Sequence, residues 1–145
     1  MDLSRFVTAQ AGVYATALEE IRRGRKRTHW MWFVFPQLRG LGVSPTAQHF
    51  GITGEAEARA YLEHPVLGPR LIECCEALLP HAGKSPESIF GYPDYLKLRS
   101  CMTLFAHVSE TGSVFHSVLE KFYDGKADEM TLELLQHDDT DGESR

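Results

Sequence analysis

The chain has 145 residues, of which 43% are hydrophobic and 24% charged, a composition that suits one globular domain with a full apolar core. The net charge is −5, yet Arg22, Arg23, Arg25, Lys26 and Arg27 put five cations into six residues, so the remainder carries −10. That imbalance excludes general nucleic-acid binding by the whole surface and leaves room for a local anion site at the cluster.

Leu3 to Arg22 reads as the first helix, with Asp2 as its cap. Phe6, Gln10, Val13, Tyr14, Ala17, Leu18 and Ile21 share one face at helical spacing, and Gly24 suits the position just past the helix end. Trp30 to Phe35 is a continuous apolar run closed by Pro36, short enough to be an extended core segment. In that conformation His29, Met31, Phe33 and Phe35 face one way, and Trp30, Trp32 and Val34 the other. Residues 38–46 carry turn residues and read as a loop. Gln48 to Ile52 suits a short extended piece that pairs, over 49–52, with residues 31–34.

Gly54 to Glu63 reads as helix. His64-Pro65 marks another start, with Leu67, Leu71, Cys75, Leu78 and Leu79 as the apolar stripe and an end near Pro80. Ser85-Pro86-Glu87 signals a short helix stopped by Gly91. Pro93-Asp94 opens the next helix, with Asp94 as N-cap and Tyr95, Leu98, Met102 and Phe105 on one face. Ser113 to Tyr123 follows, with Val114, Val118, Leu119 and Phe122 inward, and Asp128 caps a last helix to about Gln136. About seven helices joined by short loops predict a compact all-α bundle with at most one minimal two-stranded piece. The domain is expected over residues 1–136. The acidic stretch 137–145 has too little apolar surface to pack and is expected to be disordered.

Cys74, Cys75 and Cys101 make an odd count with an adjacent pair, a poor disulfide framework, and they show no metal-ligand spacing with the histidines. Buried thiols are the expectation, with no metal and no cofactor. No run approaches the ~18 apolar residues of a membrane span. MDLSRFVTAQ lacks the pattern of a signal peptide, so a cytoplasmic location, without membrane association, is expected. A monomer is the favoured state. The chain has no G-x-S-x-G elbow, P-loop, G-x-G-x-x-G or H-E-x-x-H motif.

Three stretches, GRKRTHWMWFVFPQLRGLG, AYLEHPVLGPRL and IFGYPDYLKLRSCMTLF, together resemble the domain of unknown function 1810 family over about Phe6 to Leu135. The block HWMWFVFPQ is rich in rare residue types and is the most specific part of the match. The resemblance implies a small, mainly helical protein and brings no established activity. Some members carry the name calpastatin, which belongs to long disordered chains and does not suit the patterned apolar faces found here.

Function is expected in the first half of RKRTHWMWFVFPQ, where cations stand beside indoles. Arg25, Lys26 and Arg27 exceed what a helix C-terminus needs for its dipole, which Arg22 and Arg23 already supply. Cations next to aromatic rings hold an anionic, ring-bearing molecule by charge and stacking, with Trp30 or Trp32 as the platform. His29 is the candidate acid–base group, and Gln37 offers both donors and acceptors. On the helix opened by Asp94, Lys97, Ser100 and Thr103 form a polar face expected across the cleft. The expected ligand is nucleotide-like. The alternative is a non-catalytic protein-interaction module that uses the same Trp and Arg side chains as anchors.

Overall fold

A computed structural model describes residues 1–143, with side chains to residue 137. Among the described residues it contains ten α-helices, one 3-10 turn and no sheet. The all-α expectation therefore holds, and the seven-helix count does not. Three of the differences arise where a local signal was overridden.

The first is a break in the expected helix over Leu3–Arg22. It is two helices, α1 (Ser4–Gln10) and α2 (Tyr14–Arg22). Gly12 sits between them at φ +77°, a left-handed conformation that glycine adopts at little cost, and it turns the chain. Asp2 still serves the start, its Oδ1 accepting from the Ser4 N–H at 2.8 Å. Gln10 is thereby freed to act across the fold. Its amide donates to the Phe33 carbonyl at 2.8 Å and the Tyr61 hydroxyl at 3.2 Å.

The second is α3 (Met31–Val34), one helical turn where an extended segment was expected. Trp30, Met31, Val34 and Phe35 are buried, while Trp32 and Phe33 are half-buried. This is a 3.6-residue pattern and not an alternating one. Trp30 packs against Phe35 and Phe90, with ring centroids 6.1 and 6.3 Å away.

The third is α4 (Pro45–Phe50), capped by the Ser44 hydroxyl, which accepts from the Ala47 N–H at 3.1 Å. Residues 31–34 therefore pair with nothing extended. The minimal β contact is instead a single parallel bridge between Leu38 and Ile52, in which Ile52 N–H donates to the Gln37 carbonyl at 2.9 Å and Arg39 N–H to the Ile52 carbonyl at 2.7 Å.

From there each helix expected from local signals is present, although α6 begins at Leu67, past Pro65, and not with proline at its first position. The helices are α5 (Glu55–Glu63), α6 (Leu67–Leu78) running into a 3-10 turn at Leu79–His81, α7 (Pro86–Phe90), α8 (Asp94–His107), α9 (Val114–Tyr123) and α10 (Glu129–Glu143). Ser85, Ser113 and Asp128 cap α7, α9 and α10 through side-chain oxygens. Helix α10 runs past the expected end at Gln136; Ser144 and Arg145, the last of the expected tail, lie outside the described residues.

α8 is the axis of the fold. It packs against α5, α7, α9 and α10, and the run Ser100–Ala106 is buried on every side. A chain of rings, Phe6–Tyr61–Phe105–Phe115, edge-on in the first pair and tilted in the other two, crosses the core at centroid spacings of 5.2, 5.4 and 5.7 Å. The start of α8 and the segment between α2 and α3 meet at the edge of this core.

Candidate functional site

The segment Arg25–Trp30 is a strap between α2 and α3. It begins where Gly24, at φ +75°, ends α2 with its N–H on the Ile21 carbonyl at 2.9 Å and the Arg25 N–H on Glu20 at 3.1 Å. The strap is fixed by Glu20, a residue that composition and motif reading passed over. Its carboxylate is 7% exposed and accepts four hydrogen bonds. The donors are the Arg27 N–H at 2.6 Å, the Thr28 N–H at 3.0 Å, the Thr28 hydroxyl at 2.6 Å and the Trp30 indole N–H at 3.0 Å. Burial pushes the Glu20 carboxyl up, but the Thr28 hydroxyl, the two backbone N–H groups and the Trp30 indole together outweigh it and hold the carboxyl down at about 2. One signal was available in the sequence. Glu20 lies three residues after Ala17 and beside Ile21, on the apolar face of α2, where an acid needs partners.

The strap divides its cations between two faces. Arg25 and Arg27 are exposed and line a groove of about 500 Å³ on the α2 side, together with Arg23, Glu19 and Glu20. Lys26 and His29 turn the other way. They line a cleft of about 250 Å³ with Trp30, Met31, Trp32, Phe33, Thr46, Asp94 and Lys97. The ligand-binding set expected around one loop is thus split by the loop itself.

Within the cleft the organising residue is Asp94, the first residue of α8. It was expected to be an N-cap, yet it makes no capping hydrogen bond. Its carboxylate bridges two lysines instead, with Oδ2 2.9 Å from Lys26 Nζ and Oδ1 3.2 Å from Lys97 Nζ. Each ammonium also lies over an indole. Lys97 Nζ is 4.0 Å from the Trp32 ring centroid, and Lys26 Nζ is 5.1 Å from that of Trp30. Lys26 is held further by donating to the Thr28 carbonyl at 2.6 Å. Lys26 is therefore the more fixed of the pair, with a side chain 9% exposed against 21% for Lys97.

The remaining candidates fall outside this arrangement. Trp30 backs the cleft but shows no surface, so a ring cannot stack on it; Trp32, half-buried, is the indole that shows surface there. Ser100 and Thr103 do not face the cleft. Both are buried, and both hydroxyls turn back to their own helix, Ser100 to the Leu96 carbonyl at 3.2 Å and Thr103 to the Arg99 carbonyl at 2.8 Å. Thr103 also accepts the Asp128 N–H at 2.8 Å, which ties α10 to α8. The expected polar face is therefore a packed one, tied to the start of α10 at Thr103, and Lys97 alone of the three reaches the cleft. Gln37 is buried at the bridge to Ile52, away from the cleft lining.

His29 is exposed at the cleft wall and carries the only imidazole in its lining. The three cysteines are buried, and desolvation pushes the Cys74 thiol up to about 12 and those of Cys75 and Cys101 well above the usual range. They are poor nucleophiles in this setting. Among the described residues no group of three or more His, Cys, Asp or Glu side chains is placed to hold a metal, and no helix is long and apolar enough to cross a membrane.

The chain belongs to the family described as "Protein of unknown function (DUF1810)", whose profile matches residues 1–135. No curated protein matches it. A solved structure that it resembles is that of the conserved hypothetical protein Rv1873 from Mycobacterium tuberculosis, at 56% identity and a TM-score of 0.91, covering 93% of this chain and 96% of that one. The neighbour is likewise described by no activity.

Proposed function

We propose that the cleft between the strap and the start of α8 binds a small anionic molecule carrying a planar ring, in the manner of a nucleotide-like ligand. One observation carries this reading: two lysines share a single carboxylate, and each lies on an indole at the wall of a concave site. A ring laid on Trp32 would have its acid group met by Lys97, with Lys26 behind it and His29 at the edge. Bond chemistry at this site, transfer or hydrolysis, would fall to His29 as acid–base group.

The test is a thermal-shift screen of nucleotides, phosphorylated metabolites and ring acids. Binding raises Tm by mass action, about 2.7 kcal/mol of stabilisation at a hundredfold excess over Kd. A shift that disappears in a Lys97→Gln, His29→Ala double variant supports the reading. No shift with any compound sinks it.

The second reading, a non-catalytic protein-interaction module, draws on the other face of the strap. There Arg25 and Arg27 are exposed along the α2 groove, and arginine is a common interface anchor. An Arg25→Ala, Arg27→Ala variant separates the two, because it would abolish partner binding and leave the cleft ligand's shift in place.

A further inference from the structure

Resting on the anionic-ring reading above and narrowing it away from nucleotides, we infer that the cleft selects a single-ring monoanion of the aromatic-carboxylate class, and that Asp94 is the residue that sets this charge. The argument begins with the charges facing the cleft. Lys26 and Lys97 bring two positive charges, and Asp94 returns one negative charge to both of them, at 2.9 and 3.2 Å. The surplus is a single positive charge. Glu20 does not alter that count within the cleft. It stands behind Trp30, lines the opposite groove beside Arg23, Arg25 and Arg27, and is met by four donors of the strap.

The forked guanidinium of arginine grips carboxylate and phosphate alike, whereas an ammonium acts as a point charge, so here the number of charges discriminates and not the kind of cation. The arginines of the strap face the other groove, and beside the His29 imidazole the cleft's cations are the two ammonium groups of Lys26 and Lys97. A second negative charge on the ligand would exceed the surplus and would stand against the Asp94 carboxylate, a repulsion that discriminates by charge.

Size agrees as well. The cleft encloses about 250 Å³, below the roughly 300–1,000 Å³ of sites for drug-sized ligands. Its usable indole face is that of Trp32, with the half-buried Phe33 beside it, because Trp30 shows no surface. Lys97 occupies this face, its Nζ 4.0 Å from the ring centroid. A planar ring entering the cleft takes that place. Lys97, on its flexible stem and still beside Asp94, moves to the ring's edge, where a carboxylate substituent sits.

The experiment uses the full chain, labelled with nitrogen-15. The two indole N–H signals report the cleft face and the buried tryptophan separately, and Trp32→Phe assigns them. The probes are benzoate, pyridine-3-carboxylate, phenyl phosphate and a nucleoside 5′-monophosphate. The expected result is a shift of the Trp32 signal with the carboxylates, at least tenfold weaker binding of them in Lys97→Gln, and at least tenfold weaker binding of phenyl phosphate than of benzoate by the unaltered protein. Asp94→Asn raises the surplus to two and is expected to reverse that preference. Circular dichroism checks that each variant is folded, and Lys97→Gln decides alone if Asp94→Asn is not. Tighter binding of the phosphates by the unaltered protein overturns the monoanion inference and leaves the anion cleft standing. Unchanged carboxylate affinity in Lys97→Gln overturns the inference too. No movement of the Trp32 signal with any probe overturns both.

Discussion

Two carboxylates flank the strap, Glu20 on its α2 side and Asp94 on its α8 side, and they are satisfied in opposite ways. Glu20 receives four hydrogen bonds from backbone, hydroxyl and indole donors. Its charge is consumed by the chain and shapes it. Asp94 receives two ammonium groups, so its charge is overmatched and a positive surplus is left at a concave surface. A buried acid surrounded by N–H donors is architecture. An acid that aligns two cations over aromatic rings arranges them for something else.

The largest effect should separate the two tryptophans that these acids serve. Trp30→Ala removes a fully buried indole and should cost about 3–5 kcal/mol in urea unfolding. Trp32→Ala removes a half-buried ring and should cost about 1 kcal/mol. Equal costs would mean that Trp32 is also core and would dissolve the distinction between a structural and an exposed indole.

Next comes Glu20→Ala, which leaves three N–H donors and a hydroxyl without their acceptor. A loss of about 3 kcal/mol is expected from stranding them. The same residue should dominate acid unfolding. Its folded carboxyl is held at about 2, below the ordinary glutamate value of 4.5. A depressed folded value means that the stabilisation is fully present above the unfolded value and is lost as pH falls toward the folded one. Stability should therefore decline between about pH 5 and pH 2, by on the order of 3 kcal/mol in total. The Glu20→Gln variant should show a flatter profile over that window; an identical profile would assign acid sensitivity to other groups.

The smallest effect belongs to Asp94's partners. Lys97→Gln should change stability by less than about 1 kcal/mol, since its ion pair is partly solvated. Lys26→Gln should cost more, because Lys26 also loses the Thr28 carbonyl and is more buried. A Lys97 substitution as damaging as one at Glu20 would place Lys97 with the architecture and remove the argument for a recognition site.

Much of the second half of the molecule was legible because its signals are local. Ser85, Ser113 and Asp128 announce their helices within three residues, and the apolar stripes of α6 and α9 follow one period. The first half misled where a local pattern had two solutions. Six apolar residues from Trp30 to Phe35 suit a strand or a helical turn equally, and only packing against Phe90 and α1 decides between them. Likewise Ser100 and Thr103 look like a solvated face until the tertiary fold buries both and ties Thr103 to the start of α10. The cleft itself was half visible. Lys26, His29 and Trp32 stood out as neighbours in sequence, and Lys97 was expected across from them, but the residue that joins the two sides was read as a cap.

The sequence by itself determined the helical class, the family, most helix starts and the concentration of cations beside indoles, all of which depend on residues within a few positions of one another. Only the tertiary structure decided which cations face inward. Arg25 and Arg27 part from Lys26 because Glu20 locks the strap's backbone, and Lys26 meets Lys97 because Asp94 arrives from 68 residues along the chain. An ion pair of that separation has no local signature; it exists only once the core has brought α8 to the strap.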